Sequence, residues 1–175
     1  DFIRRSALHY HFESFNCETD DTIVSTYKRY KDKYNLVLVS PDKDMRTFPC
    51  VYYNSHLAHK TLEVISEDDA RHNKYMQFLT GDSADGIEGV KGVGEKKAEL
   101  LLEGCKTDYQ YIKRIYTIYR DGVPKRTKAS FKGFHSKAGV KLRQNALLLN
   151  MGLKSIKIPK LEDIFNGWTK DIYVL

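Results

Sequence analysis

Cysteine is scarce in this sequence, and its distribution excludes several kinds of protein. Cys17, Cys50 and Cys105 are the three cysteines among the 175 residues, and they share no spacing of metal ligands. An odd number without such spacing argues against a disulfide framework and a zinc module, so we expect reduced thiols. Long apolar runs and a signal-peptide pattern are lacking as well. We therefore expect an intracellular, cytoplasmic protein with no membrane partner.

The sequence contains no internal repeat, but it does contain enough apolar residues for a core. Hydrophobic residues make up 41% of the chain, which suits one domain or two small ones. The net charge is +6 and the isoelectric point is about 9.1. This charge gives a modest bias toward a polyanionic partner, although many basic proteins bind no nucleic acid.

A first acidic group precedes a predicted helix. The segment from Ile23 to Tyr30 has apolar residues at helical spacing. A helix that starts near Asp20 brings Glu18, Asp20 and Asp21 together at its amino-terminal end. The helix dipole favours anions there, so an acidic cap is one interpretation and a set of metal ligands is the other.

A second acidic group follows a predicted strand. The run Asn35–Ser40 is apolar between polar ends, which predicts a buried parallel strand. Asp42 and Asp44 come directly after it, and open α/β sheets place their sites at the carboxyl ends of such strands. A solvated turn is the alternative. A further short strand is predicted at residues 51–53.

A third acidic group, Asp82 and Asp85, lies three residues apart between glycines. Carboxylate oxygens are suitable ligands for Mg²⁺ and Mn²⁺. The preceding helix is predicted to begin with Ser66 as its N-cap, three residues before Asp69. The alternative is an exposed acidic turn between two helices.

A glycine-rich hairpin follows, and a helical pattern that Gly104 ends comes after it. Glycines allow positive φ and close approach to another molecule, and backbone N–H groups at a helix start can hold a phosphate. A simple connector is the alternative. The candidate nucleic-acid-binding residues of this segment are Gly89, Val90, Gly92, Val93, Gly94, Lys96 and Lys97.

The remaining segments give weaker indications. Helices are predicted at residues 109–119 and 143–151, and residues 153–175 are expected to pack back on the body. Between the helices, the basic segment 120–143 contains glycine and proline, which favours either a solvated flexible loop or a phosphate-contacting arm. His56 and His59 are interpreted as surface or packing residues, because no third ligand completes a zinc set.

The acidic turn and the hairpin join as G-D-S-A-D-G-I-x-G-V-x-G-V-G-x-K-x-A. The hairpin resembles the helix-hairpin-helix motif, which grips the sugar-phosphate backbone of a duplex. The joined pattern resembles the 5′ nuclease superfamily, which includes flap endonucleases, bacteriophage 5′–3′ exonucleases and the 5′ nuclease domain of bacterial DNA polymerase I. The E-T-D-D segment, the D-x-D after a strand and the late R-Q-N segment also match the pattern, the last in a phage-like form.

The resemblance implies a fold and an activity. The implied fold is α/β, with the C-terminal part of a PIN-like parallel-sheet domain at residues 1–80. A helical helix-hairpin-helix domain follows at residues 81–175, with the motif at about residues 86–104. The implied activity is a divalent-metal-dependent 5′–3′ exonuclease or flap endonuclease acting on duplex, flapped or 5′-ended DNA. The implied setting is a monomer in the cytoplasm of a bacterial or phage-infected cell.

The resemblance also implies two ions, Mg²⁺ or Mn²⁺, and allows a K⁺ ion at the hairpin. Glu18, Asp20 and Asp21 would serve the first divalent ion. Asp42, Asp44, Asp82 and Asp85 would serve the second. Gathered without cations these like charges would repel, and two divalent ions ~3.5–4 Å apart would offset the repulsion.

The resemblance covers most of the chain but only the later half to two-thirds of the family's fold. The family's first strand with its aspartate ligand and its Lys/Arg-rich arch have no counterpart here, except that Arg4 and Arg5 match the end of an arch helix. We therefore expect a missing N-terminal nuclease portion, on a separate polypeptide or upstream. Two alternatives stay open: a non-catalytic duplex-binding module and a PIN-like ribonuclease.

Overall fold

A computed structural model describes residues 17–56, 62–122, 137–151 and 173–174. Arg4, Arg5, His59, the middle of the basic segment and residues 152–172 lie outside this part of the chain, as do the predictions made for them. The chain forms two compact units. The sheet unit comprises Asp1–Met45, Cys50–Val64 and Met151–Leu175, and the helical unit comprises Arg46–Pro49 and Ile65–Asn150.

The sheet unit is built on a four-stranded sheet. Its strands are β1 (Leu36–Val39), β2 (Cys50–Tyr53), β3 (Leu62–Ile65) and β6 (Tyr173–Val174), in the order β3-β2-β1-β6. Strand β1 runs parallel to β2 and to β6, with Leu38 opposite Tyr52 and Leu36 opposite Tyr173. The predicted parallel strand is therefore confirmed, as is the short strand at residues 51–53.

Helix α1 (Thr19–Tyr30) packs against this sheet, and its start agrees with the prediction. Val24, Tyr27 and Tyr30 supply its buried face. The Tyr27 hydroxyl accepts a hydrogen bond from the Val51 N–H at 2.9 Å, which ties the helix to β2. Burial raises the pKa of Tyr27, so this hydroxyl stays neutral at physiological pH.

The helical unit contains helices α2 (Glu67–Thr80), α3 (Glu95–Leu102), α4 (Asp108–Asp121) and α5 (Ala138–Leu148). The short strands β4 (Gly81–Asp82) and β5 (Ile87–Glu88) pair antiparallel between α2 and α3. Ser66 caps α2 as predicted: its hydroxyl accepts from the Asp69 N–H at 3.1 Å, and the Asp69 carboxylate accepts from the Ser66 N–H at 3.3 Å. This reciprocal pair is a capping box.

A buried hydrogen-bond chain joins three helices of this unit. The Tyr119 hydroxyl donates to the Phe78 carbonyl of α2 and accepts from Asn145 Nδ2 of α5 at 2.9 Å. Tyr119 and Asn145 are both buried in the apolar core. Because a buried polar group without a partner is costly, this chain specifies how α2, α4 and α5 pack together.

The start of α5 differs from the prediction. The helix begins at Ala138, ahead of the expected Arg143, so the end of the predicted flexible segment is helical. Ala138 is buried, and a Cβ added to Gly139 would lie 3.9 Å from the Tyr116 ring. Close packing on α4 therefore outweighs the low helix propensity of glycine. The opposite end of that segment, Arg120–Asp121, completes α4.

The boundary between the units also differs from the predicted division after residue 80. Tyr75, Phe78 and Leu79 of α2 lie in the core that α3, α4 and α5 share, so α2 belongs to the helical unit. The fold is mixed α/β, with a small sheet that contains parallel pairs. Among the helices that the structure describes, none has the length and apolar character needed to span a membrane.

Candidate functional site

Asp42 and Asp44 are held at the carboxyl end of β1. Asp42 Oδ1 accepts a hydrogen bond from the Asp44 N–H at 2.9 Å, and Ser40 Oγ accepts from the Asp42 N–H at 3.0 Å. The Tyr52 hydroxyl contacts the carbonyl oxygens of Ser40 and Asp42, each at 3.0 Å. A 3₁₀ helix, Lys43–Thr47, follows at once. The two carboxylates therefore sit on a backbone that local hydrogen bonds fix.

The acidic residues of α1 lie together at its first turn. Glu18 occupies the N-cap position, and its side chain makes no capping hydrogen bond. Asp20 and Asp21 belong to the first turn, where the helix dipole favours anions, and Asp21 is only 7% exposed. The capping interpretation thus lacks its defining hydrogen bond at Glu18, although the dipole accounts for Asp20 and Asp21.

Asp82 and Asp85 lie in the hairpin that β4 and β5 form, which the sequence analysis did not predict. Asp82 ends β4 opposite Ile87, and its Oδ1 accepts from the Ala84 N–H at 2.8 Å. Asp85 is exposed in the four-residue turn. The turn thus presents two carboxylates three residues apart, as the sequence pattern predicted.

The donors suit a hard divalent cation, because Mg²⁺ is usually held by one or two carboxylates together with water and substrate phosphates. Within the described part of the chain, however, no three His, Cys, Asp or Glu side chains group closely enough to hold a metal ion. The predicted set of seven ligands therefore stays a prediction.

The turn before α3 has a well-defined backbone. The Val93 N–H donates to the Val90 carbonyl at 2.9 Å, and Gly92 has a φ of +75°. Gly94 is the N-cap of α3, and no side chain caps that end of the helix. A Cβ added to Gly92 or Gly94 would meet open space. The turn is accordingly open to a molecule that approaches from outside.

Two lysines flank this turn. Lys97 Nζ donates to the Gly92 carbonyl at 2.7 Å, so this side chain folds back and fastens the turn. Lys96 is exposed. The arrangement offers positive charge beside the amino-terminal end of α3, which no side chain caps. Both features favour an anion, whereas Glu95 in the first turn of α3 offsets part of the charge.

Three other residues predicted to bind nucleic acid have roles in the packing of the protein. Val90 and Val93 are buried in the core, so only their backbone groups remain for a ligand. A Cβ on Gly89 would lie 2.2 Å from the Thr80 carbonyl carbon and 2.4 Å from the Gly81 nitrogen. Gly89 is therefore required where the two ends of the β4–β5 hairpin touch, a reason that the sequence alone did not reveal.

A polar cluster that sequence reasoning missed holds α3 in place. His72 of α2 bridges Glu99 of α3 at 2.9 Å and the Tyr111 hydroxyl of α4 at 3.0 Å. The Tyr111 ring stacks on Tyr75 with the centroids 4.7 Å apart. These residues are far apart in sequence and match no motif, so no local signal could have joined them.

Comparison with known proteins identifies the relatives of this chain. No family model matches it. It is 28% identical over 100 residues to a 5′-3′ exonuclease of Mycoplasmopsis pulmonis, a match that covers 51% of this chain and 33% of the relative. It is 32% identical over 95 residues to the thermostable DNA polymerase I of Thermus aquaticus, covering 49% of this chain and 11% of the relative.

A longer match is to DNA polymerase I of Borreliella burgdorferi. It is 27% identical over 165 residues and covers 87% of this chain and 17% of the relative. The chain thus spans a third or less of the length of these relatives. Proteins named 5′-3′ exonuclease and DNA polymerase I are its homologues, which confirms the predicted relation to the 5′ nuclease superfamily.

Proposed function

We propose that this chain is part of a divalent-metal-dependent 5′–3′ exonuclease or flap endonuclease that hydrolyses phosphodiester bonds of DNA. The observation that carries the proposal is the match to DNA polymerase I over 87% of the chain. A match of that extent must include the middle of the chain, and hence the segment from Asp42 to Lys97. The acidic pairs and the turn before α3 thus lie in the region shared with proteins of this family.

In this proposal the turn before α3 (residues 90–94, hereafter the hairpin turn) and α3 hold the DNA. The open surface at Gly92 and Gly94 lets a phosphate approach the backbone, and the uncapped helix end and Lys96 attract it. Lys97 keeps the turn in shape through its bond to the Gly92 carbonyl. Such contacts carry no base information, so binding should be nearly independent of sequence and sensitive to salt.

The acidic residues would hold the divalent ions. We assign Glu18, Asp20 and Asp21 to one Mg²⁺ or Mn²⁺ ion. We assign Asp42, Asp44, Asp82 and Asp85 to the other. When bound, such a pair of ions activates water and neutralises the charge that develops on the leaving oxygen. The protein's own contribution is to fix the carboxylates, as the Asp42–Asp44 and Asp82–Ala84 hydrogen bonds do.

Replacing Gly92 by Val should weaken duplex binding by at least about tenfold, because a branched side chain would stand where the phosphate approaches. Gly104→Val is a matched control. Gly104, at the other end of α3, also has positive φ (+78°), and a Cβ there also meets open space. Both variants therefore carry similar backbone strain, but only Gly92 lies in the proposed contact.

Duplexes of two unrelated sequences, titrated at matched salt by fluorescence anisotropy, measure this effect. Gly92→Val should lower the affinity for both sequences alike, whereas Gly104→Val should stay near the parent. Equal losses in the two variants would mean that strain, and not a lost phosphate contact, explains the result.

A non-catalytic duplex-binding module is the second candidate, favoured by the open backbone and the exposed Lys96 of the turn before α3, which can bind a phosphate without a metal. Metal-dependent stability separates the two. If Asp21 is a ligand, Mn²⁺ at about 100 times its dissociation constant should add about 2.7 kcal/mol to the free energy of unfolding. Asp21→Asn should remove most of that gain.

Thermal unfolding with Mn²⁺ and with EDTA makes the measurement. A parent protein whose melting temperature is the same in both conditions would support the binding module. A PIN-like ribonuclease would instead show itself by cutting RNA in preference to a DNA duplex of the same sequence.

A further inference from the structure

The outward face of α4 carries the same pair of side chains twice. Tyr109 is followed four residues later by Lys113, and Tyr116 by Arg120. Lys113 Nζ lies 5.8 Å from the centroid of the Tyr109 ring, and Arg120 Cζ lies 5.9 Å from that of Tyr116. The two pairs are seven residues apart, which is about two turns or ~10.5 Å along the helix.

Both rings are exposed, although the Tyr116 ring also lies beside Gly139 of α5, where an added Cβ would be 3.9 Å from it. Tyr109 is 72% exposed and Tyr116 is 39% exposed, and the buried residues of α4 lie on its opposite side. Two exposed rings on one helix face, each beside a cation, form a larger patch than single scattered side chains do. The α4 face, defined as Tyr109, Lys113, Tyr116 and Arg120, is therefore a candidate binding surface.

The charges of this face indicate the kind of ligand. Lys113 and Arg120 are both cationic. Asp121 partly neutralises Arg120, since its carboxylate oxygens lie 2.6 Å from Arg120 Nε and 2.6 Å from Nη2. An exposed pair of this type is weak in water, so a phosphate can compete for the guanidinium. A ligand with regularly spaced anions and planar groups matches the repeated ring and cation.

We propose that the α4 face binds single-stranded nucleic acid, with bases stacked on Tyr109 and Tyr116 and phosphates beside Lys113 and Arg120. Base stacking on aromatic side chains along a basic surface is how sequence-tolerant single-strand binders work. A duplex keeps its base faces inside the helix and cannot use the rings in this way. The repeated spacing of ring and cation favours a polyanion over a protein, whose interface would use Tyr and Arg without such a repeat.

This proposal goes beyond the proposed nuclease function and does not depend on it. It concerns binding at a surface separate from the hairpin turn, and it requires neither cleavage nor metal. Single-strand binding by the α4 face can therefore be measured in EDTA. The result does not depend on whether the proposed nuclease function is right.

Fluorescence anisotropy with a labelled oligothymidylate of about 12 nucleotides in EDTA tests it. Tyr109→Ala should weaken binding at least about fivefold, because one stacking platform is lost. Tyr109→Phe should bind like the parent, since it keeps the ring. Asp121→Asn should bind about two- to fivefold more tightly, because Arg120 is released from its carboxylate.

Tyr34→Ala is the control, because Lys33 Nζ lies 5.3 Å from the Tyr34 ring and this ring-and-cation pair belongs to the sheet unit, not to α4. It should leave binding unchanged. A blunt duplex of the same length should be bound by Tyr109→Ala nearly as well as by the parent. Unchanged oligothymidylate binding in Tyr109→Ala would overturn the proposal. So would equal losses for single strand and duplex, or a Tyr34→Ala loss of the same size.

Discussion

Cleavage of a 5′-labelled DNA duplex in Mg²⁺, by the chain together with its N-terminal nuclease portion, should fall by about 100-fold or more when Asp82 is replaced by Asn. Residues that only support a metal ligand typically cost 10- to 100-fold when changed, so a ligand itself should exceed that range. The same change should weaken Mn²⁺ binding. The melting temperature in EDTA should stay close to that of the parent.

Asparagine at position 82 can keep the hydrogen bond that Asp82 makes. Its Oδ1 accepts from the Ala84 N–H at 2.8 Å, and an asparagine amide oxygen can accept the same bond. The turn keeps its conformation while the negative charge disappears. Asp42→Asn has the same property, since the Asp42 carboxylate accepts from the Asp44 N–H at 2.9 Å. Both variants thus remove charge while an amide oxygen can keep the backbone hydrogen bond that the carboxylate accepts.

Isothermal titration with Mn²⁺ and a cleavage time course provide the measurements. Glu103→Gln is the control, because Glu103 is an exposed carboxylate at the C-cap of α3 and has no proposed ligand role. If Asp82→Asn binds Mn²⁺ with the parent's affinity, Asp82 is not a ligand. The double variant with Asp42→Asn adds a second test: two ligands of one ion should give effects far from additive, whereas independent sites should simply add.

Much of the fold follows from local sequence signals. Four consecutive apolar residues between polar ones are enough to indicate β1, because a strand buried between two parallel neighbours needs no alternation. Ser66 and Asp69 satisfy each other's backbone groups across one helical turn, so their spacing alone predicts the capping box. In each case the interacting groups lie within a few residues of each other.

What the sequence did not reveal depends on distant contacts. Strands β4 and β5 have two residues each, too few for an alternating pattern to appear. Gly139 signals a loop by itself, and its place in a helix beside the Tyr116 ring is visible only in the structure. Val90 and Val93 look like part of a binding loop until the core that surrounds them is seen.

In the candidate site, too, the residue types could be predicted from local sequence, whereas their contacts could not. The candidate glycines, lysines and aspartates could be recognised in the sequence because proteins bind phosphates and metals with only a few residue types. Which glycine faces a ligand and which is packed against backbone depends on geometry. Gly92 faces open space, whereas Gly89 lies against Thr80 and Gly81.

Gly89→Ala should destabilise the protein by about 3 kcal/mol or more, because the added methyl group has no room. Its Cβ would lie 2.2 Å from the Thr80 carbonyl carbon and 2.3 Å from the Thr80 oxygen, and both atoms belong to the backbone. A flexible side chain could move aside, but here the hairpin itself must open. The Val90 N–H bond to the Leu79 carbonyl, 2.7 Å long, would be strained as well.

Gly86→Ala is the control for this change, because Gly86 has positive φ (+67°) but a Cβ there meets open space. It should cost about 1–2 kcal/mol, the penalty of the left-handed conformation alone. Urea denaturation of both variants measures the difference. A Gly89→Ala variant as stable as Gly86→Ala would contradict the close approach. Gly89→Ala should also lose DNA binding at temperatures where the variant unfolds, and should regain binding at low temperature, where it is folded. Such a recovery would show that Gly89 acts through the structure of the β4–β5 hairpin, whereas Gly92 acts through contact with DNA.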